Sequence, residues 1–338
     1  MPRLTRPDAS LPCSRRHLLQ GAAAVAAAAV LPASAVRAQD RYPSAPVKLV
    51  VNFPPGGVTD ATFRRIADSF QSRTGQPLII ENKAGRGLAP ATIASARPDG
   101  YTLGIVGRTQ LSLYHQLGGK LNYHPVDDFS WIANVTSSWF GLYVREQAPW
   151  KSLQDIVAAG KAKPGKLTYG TAFGHGGLSH VPMEEFSQTA GIEMLHVPFR
   201  GDSDTTLQLI RGEVDMIVAG GSAMPFVDDK RLRLLAWLTP ERHPRLSDIP
   251  TFRELGYPVE VVAPVGIGGP KGIASEQVAS LETIFAAILK DKGVADFLDR
   301  NYQRHDFMNS AEFTQWARKQ FPIEKRIVEQ FNLAEKAK

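Results

Sequence analysis

Two glycine-rich stretches of this sequence have the composition to hold an anion. In the first, residues 50–60, an apolar run ends in Phe53, Pro54 and Pro55, then Gly56, Gly57, Val58, Thr59 and Asp60 lead into helical spacing. The prolines cannot donate to a sheet, the glycines let backbone N–H groups approach a bound group, and Thr59 or Asp60 can cap the helix. Unpaired N–H groups at a helix start, at the positive end of its dipole, make an anion site. Taken alone, the stretch is equally a plain strand-to-helix turn, because glycine-rich turns are common in α/β proteins. The second stretch runs through Thr171, Ala172, Phe173, Gly174, His175 and Gly176 to His180, with Ser179 placed to cap the next helix. Two such loops facing each other across a cleft would clamp an anion from both sides. His175 and His180, with no acid nearer than Glu184, make a weak ligand set for a metal and read as cleft-wall histidines. No metal and no other cofactor is expected.

Strands alternating with helices must position these loops. Short apolar runs at 47–53, 76–82 and 101–107 alternate with helical spacing at 61–70 and 88–97. A second series begins with the strand 141–145 and runs through strands at 167–172, 194–199, 214–219 and 232–238. Helices at 152–161, 179–189, 204–211 and 222–228 lie between them. Alternation of this kind predicts a parallel sheet, whose ligands bind at the carboxyl ends of the strands. An extended segment at 258–267 then leads into helices at 275–290 and 311–333. About 300 residues beyond the leader predict two lobes, 39–141 plus 265–338 and 142–264.

Residues 1–38 read as an export signal. Arg15 and Arg16 precede an apolar run at 21–31, followed by small residues before Ala38. The paired arginines resemble the twin-arginine pattern that carries folded proteins into the periplasm, and the run is too short for a stable span. The single cysteine, Cys13, leaves with this segment, so the mature chain has no thiol, disulfide or thiolate metal site. The formal charge of +6 shrinks as well. From 39 basic and 33 acidic residues, loss of five arginines and Asp8 leaves 34 and 32, a net of +2. Nucleic-acid binding is therefore not expected.

Ordered blocks along the mature chain carry a resemblance. They are 52–60, Glu81-Asn82-Lys83-Ala84-Gly85, Arg97-Pro98-Asp99-Gly100-Tyr101, Lys163-Pro164-Gly165-Lys166-Leu167, His196-Val197-Pro198-Phe199-Arg200-Gly201 and Pro250-Thr251-Phe252-Arg253-Glu254-Leu255-Gly256. Together they resemble the solute receptors of tripartite tricarboxylate transporters, the Bug-type family. The resemblance implies a two-lobed α/β fold of the type II periplasmic-binding-protein (Venus flytrap) kind. It also implies a monomer that closes on a small carboxylate and delivers it to membrane permease subunits. Carried over, the clamp is residues 53–60 from one lobe and 171–180 from the other.

The sequence departs from the family pattern in several places. Residues 219–221 are Ala-Gly-Gly where many relatives have an acid that could hold a substrate amine, which argues against an amino-acid ligand. Arg86 and Arg108 stand in loops that are often neutral, and each is either a solvated surface arginine or a fork for a carboxylate. An enzyme built on Ser179, His180 and Asp204, or on Asp60 with Glu184, lacks a nucleophile elbow, and neighbouring helical residues point apart. A sensor presenting the ligand to a receptor kinase uses the same fold.

Overall fold

The computed structural model describes residues 42–85, 87–172, 174–199 and 201–334. The expectations for the leader, Arg86 and Phe173 fall outside the described residues. The chain opens with β1 (Val47–Val51), α1 (Val58–Thr74), β2 (Leu78–Asn82), α2 (Leu88–Ala94), β3 (Thr102–Gly107), α3 (Arg108–Gln116) and β4 (Phe129–Ser138). Its middle is β5 (Gly141–Arg145), α4 (Leu153–Ala162), β6 (Leu167–Ala172), α5 (His180–Ala190), β7 (Met194–Phe199), α6 (Asp202–Arg211), β8 (Met216–Ala219), α7 (Met224–Asp228) and β9 (Leu232–Trp237). It closes with β10 (Pro264–Pro270), α8 (Ser275–Leu289), α9 (Lys292–Arg300), β11 (Gln303–Arg304) and α10 (Ser310–Gln330).

The strands form two sheets, ordered β11-β4-β10-β3-β1-β2 and β7-β6-β8-β5-β9. Both are mixed, which corrects the expectation of parallel sheets. The strands β1, β2 and β3 run parallel, as do β6, β7 and β8, because each pair is joined through a helix. β10 returns from the other sheet without such a crossover and enters antiparallel between β3 and β4, and β5 lies antiparallel to β8 and β9. The helices α3 and α9 were not expected. α3 has no side-chain cap, so its start at Gly107 carries no sequence signal.

Helix spacing sets each core. In α1, Phe63, Ile66 and Phe70 recur on one face, are fully buried, and pack with Leu49, Val51, Leu103 and Phe285. Gly75, in the left-handed region at φ 75°, ends that helix. A separate core joins Leu142, Tyr169, Met183, Phe186 and Val218 under the second sheet. The C-terminal end reaches across, for Val328 and Leu333 pack on Val181 of α5.

Gly266 of β10 shows how closely the first sheet is packed. A Cβ there would lie 2.3 Å from Phe313 Cε1 and 2.6 Å from the Ala133 carbonyl oxygen, which belongs to the adjacent strand and cannot give way. Gly266→Ala is expected to lower stability by about 1–3 kcal/mol. Urea unfolding followed by circular dichroism checks this, and an unchanged midpoint would contradict the packing described.

Candidate functional site

The turn after β1 is held by one carboxylate. Asp60 is 2% exposed. Its Oδ2 accepts from the Gly56 N–H at 3.0 Å and from Arg64 Nε at 2.9 Å, and its Oδ1 accepts from Asn82 Nδ2 at 2.8 Å. Asn82 Nδ2 also donates to the Phe53 carbonyl at 3.1 Å. Burial works to raise the Asp60 carboxyl, but the bonds from Arg64, Gly56 and Asn82 outweigh it and hold the group below the usual carboxylate range. Gly57 is the N-cap of α1 and offers no side chain, so neither Thr59 nor Asp60 stands at the cap. Asp60 reaches back from the first turn instead. The first N–H groups of the helix have no carbonyl partner within it. Gly56, at φ 81°, needs glycine here, whereas Gly57, at φ −76°, does not.

A cavity of about 350 Å³ opens over this turn. Its walls are Phe53, Pro54, Pro55, Gly56, Gly57, Val58 and Thr59 on one side, with Ser138 and Gln303 at the edge. Gly201, Asp202, Ser203 and Asp204, with Gly221 and Ser222, form the other side. A second cavity, of about 50 Å³, shares Phe53, Thr59, Ser138 and Asp202 with it and is lined also by Asn52, Gly107, Arg108, Gln110, Phe140 and Leu178.

The second expected loop stands largely apart from these walls. Of its described residues only Leu178 lines either cavity, whereas Thr171, Ala172, Gly174, His175, Gly176 and His180 do not. Gly174 and Gly176 are both at positive φ. Thr171 Oγ1 meets His196 Nε2 at 2.6 Å, the Gly176 N–H donates to His180 Nδ1 at 3.0 Å, and the Gly176 carbonyl accepts from Gln116 Nε2 at 2.8 Å. The rings of His175, His180 and His196 lie together, with the centroids of His180 and His196 4.0 Å apart. Burial and the neighbouring imidazoles push His180 down to about 3 and His196 to about 4. Ser179 Oγ turns to the Ala172 carbonyl, so no serine and histidine pair forms.

The turn after β7 takes the place that this loop was expected to fill. Asp202, first in α6, accepts from the Gly220 N–H at 3.3 Å, and its Oδ1 is buried without a partner among the described residues. Burial pushes its carboxyl up to about 6. Asp202 thus sets a carboxyl beside Gly220, in a stretch, 219–221, that has no acid of its own. A signal for it was present, since the strand 194–199 followed by Gly201 and a helix repeats the pattern of the first loop.

Arg108 is not a solvated surface arginine. It is buried, and its Nε donates to Glu324 Oε1 of α10 at 2.5 Å, an oxygen that also accepts from Gln320 Nε2 at 2.7 Å. Among the described wall residues it is the one Lys or Arg.

Two mixed α/β sheets with a cavity between their strand-end turns are the plan of a periplasmic solute-binding protein. Residues 62–333 match the family model of the tripartite tricarboxylate transporter family receptor, and residues 12–32 match the twin-arginine translocation pathway signal sequence. The chain belongs to that receptor family and is exported to the periplasm by the twin-arginine route. It is 35% identical over 325 residues to a Cupriavidus necator protein described as "UPF0065 protein in gbd 5'region", covering 95% of this chain and 98% of that one. MatC from Rhodopseudomonas palustris, solved with bound malate, is 28% identical with a TM-score of 0.74 over 85% of this chain and 100% of its own. An R. palustris protein solved with adipate is 26% identical, with a TM-score of 0.77 over 87% and 99% of the two chains.

The Arg108–Glu324 pair yields a stability prediction. Its side chains are 9% and 2% exposed, so Glu324→Ala strands a buried guanidinium and is expected to cost about 3–5 kcal/mol. Thermal and urea unfolding measure it, and a loss within that of a surface substitution would contradict the assignment.

Proposed function

We propose that this receptor captures a small organic carboxylate in the cavity between residues 53–59 and 201–204 and delivers it to a tripartite membrane permease. The observation that carries this reading is the cavity floor. It is the open start of α1, while Arg108, the one Lys or Arg among the described wall residues, gives its Nε to Glu324. A carboxylate there is met by backbone N–H groups, the Thr59 hydroxyl and the positive end of a helix dipole. The malate and adipate of the two R. palustris relatives support the ligand class. The far end of the ligand faces Asp202, Ser203 and Ser222, groups that suit a hydroxyl or a second, protonated carboxyl.

We place the lobe division at 141/142 and 264/265, one residue inside β5 and β10, the strands that follow the two passages between the sheets. A ligand bridging both turns favours the closed state, since only differential affinity shifts such an equilibrium. The Thr171–His180 stretch then supports the second lobe without touching the ligand.

Calorimetry with malate and adipate tests the floor. A Cβ on Gly57 would meet only the Pro54 carbonyl oxygen, at 3.7 Å, so Gly57→Val is compatible with the fold and its side chain intrudes on the ligand. It is expected to abolish measurable binding, and Thr59→Ala to cost about 0.5–1.5 kcal/mol. Two folded variants binding as the parent does would refute the assignment. The pH profile tests the other wall. Asp202 holds a proton below about 6 and loses it above, so its charge opposes a nearby carboxylate only on the alkaline side. Affinity is expected to fall as pH rises through 6, and Asp202→Asn to flatten that fall; a variant with the parent's slope would remove Asp202 from the site.

A further inference from the structure

We propose that His175, His180 and His196 form a binding site for one divalent late first-row transition-metal ion of the Zn²⁺ class, separate from the carboxylate cavity. One ligand nitrogen from each ring lies within 4.8 Å of the other two. Nitrogens on a tetrahedral ion, about 2.0–2.1 Å from the metal, stand about 3.4 Å apart, so each ring must move inward by under about 1 Å. Two of the three are set on regular elements, His180 at the first position of α5 and His196 within β7. His175 is exposed and lies between Gly174 and Gly176, so it is the ring free to close.

The surrounding hydrogen bonds fix the tautomers of the two set rings. The Gly176 N–H donates to His180 Nδ1, which leaves the proton on Nε2, facing Glu184 Oε1 at 3.5 Å, so an ion ligated by Nδ1 takes that lone pair in place of the Gly176 N–H as the loop shifts. Likewise Thr171 Oγ1 contacts His196 Nε2 at 2.6 Å and leaves Nδ1 for a ligand bond. A lone pair toward the ion, with the other ring nitrogen backed by a carboxylate or hydroxyl, is how metal-binding histidines are held. Three imidazoles without a thiolate select Zn²⁺, Ni²⁺, Co²⁺ or Cu²⁺ over Mg²⁺ or Ca²⁺. Bound there, an ion fastens the loop 174–177 to β7. The Gly176 carbonyl in that loop accepts from Gln116 of the other sheet's unit, so the ion also steadies a contact across the cleft.

The test uses chelator-treated mature protein free of any histidine tag, titrated with Co²⁺ and then with Zn²⁺. The expected result is one ion per chain, the intense visible bands of tetrahedral Co²⁺, their loss on adding Zn²⁺, and a Zn²⁺-dependent rise in Tm. His175→Ala and His196→Ala are each expected to weaken binding by at least the roughly 10–100-fold that a lost backing group costs. His175 is exposed, so its variant keeps the fold and decides the matter even if His196→Ala does not. Parent protein that binds no more tightly than His175→Ala, or that takes several ions weakly without tetrahedral bands, would overturn the proposal.

Discussion

The hydrogen bonds to Asp60 are the constraint around which the first lobe's site is built. One carboxylate collects Gly56 from the turn, Arg64 from the next turn of α1 and Asn82 from the end of β2. It thereby fixes the turn, the helix start and the neighbouring strand in one arrangement. The carboxylate does this from beneath the loop, where its charge is matched by Arg64, and it leaves the cavity side of the helix start to backbone donors. Preorganisation of this kind keeps backbone donors in place without an ordering cost at the moment a group meets them.

Arg108 shows a second use of burial. Its guanidinium would be the obvious carboxylate clamp, yet Glu324 from the last long helix neutralises it within the wall. Val328 of the same helix and Leu333 just after it pack on Val181 of α5, and Gln116 of α3 reaches the Gly176 carbonyl. The C-terminal segment is therefore tied to α3 by an ion pair and to α5 under the second sheet by an apolar contact, with one side-chain hydrogen bond from Gln116 nearby.

Local pattern was enough to read most elements from the sequence, because strand and helix periods in an alternating chain follow burial directly. The turn at 53–60 was legible for the same reason, its prolines and glycines marking where a strand must stop. The direction of β10 was not, since antiparallel entry depends on how a distant segment returns and leaves no mark on Pro264–Pro270 itself. Which turn shares the cavity with 53–59 was not legible for a related reason. Residues 171–180 and 200–204 both read as strand, glycine, helix, and only the tertiary path shows which turn meets the first. Pairings such as Arg108 with Glu324, or His196 with His175 and His180, join residues far apart in sequence and carry no local signal.

The insertion of β10 between β3 and β4 has a consequence for biosynthesis. The first sheet lacks an interior strand until residues 264–270 have left the ribosome, and its helical cover is incomplete until α8 and α10 follow. A nascent chain threaded across a membrane amino-terminus first would expose the edges of β3 and β4 throughout translation. A chain retained in the cytoplasm until synthesis ends can close that gap before it moves. The leader matches the signal of the route that carries proteins already folded, and by that route the gap closes before the chain moves.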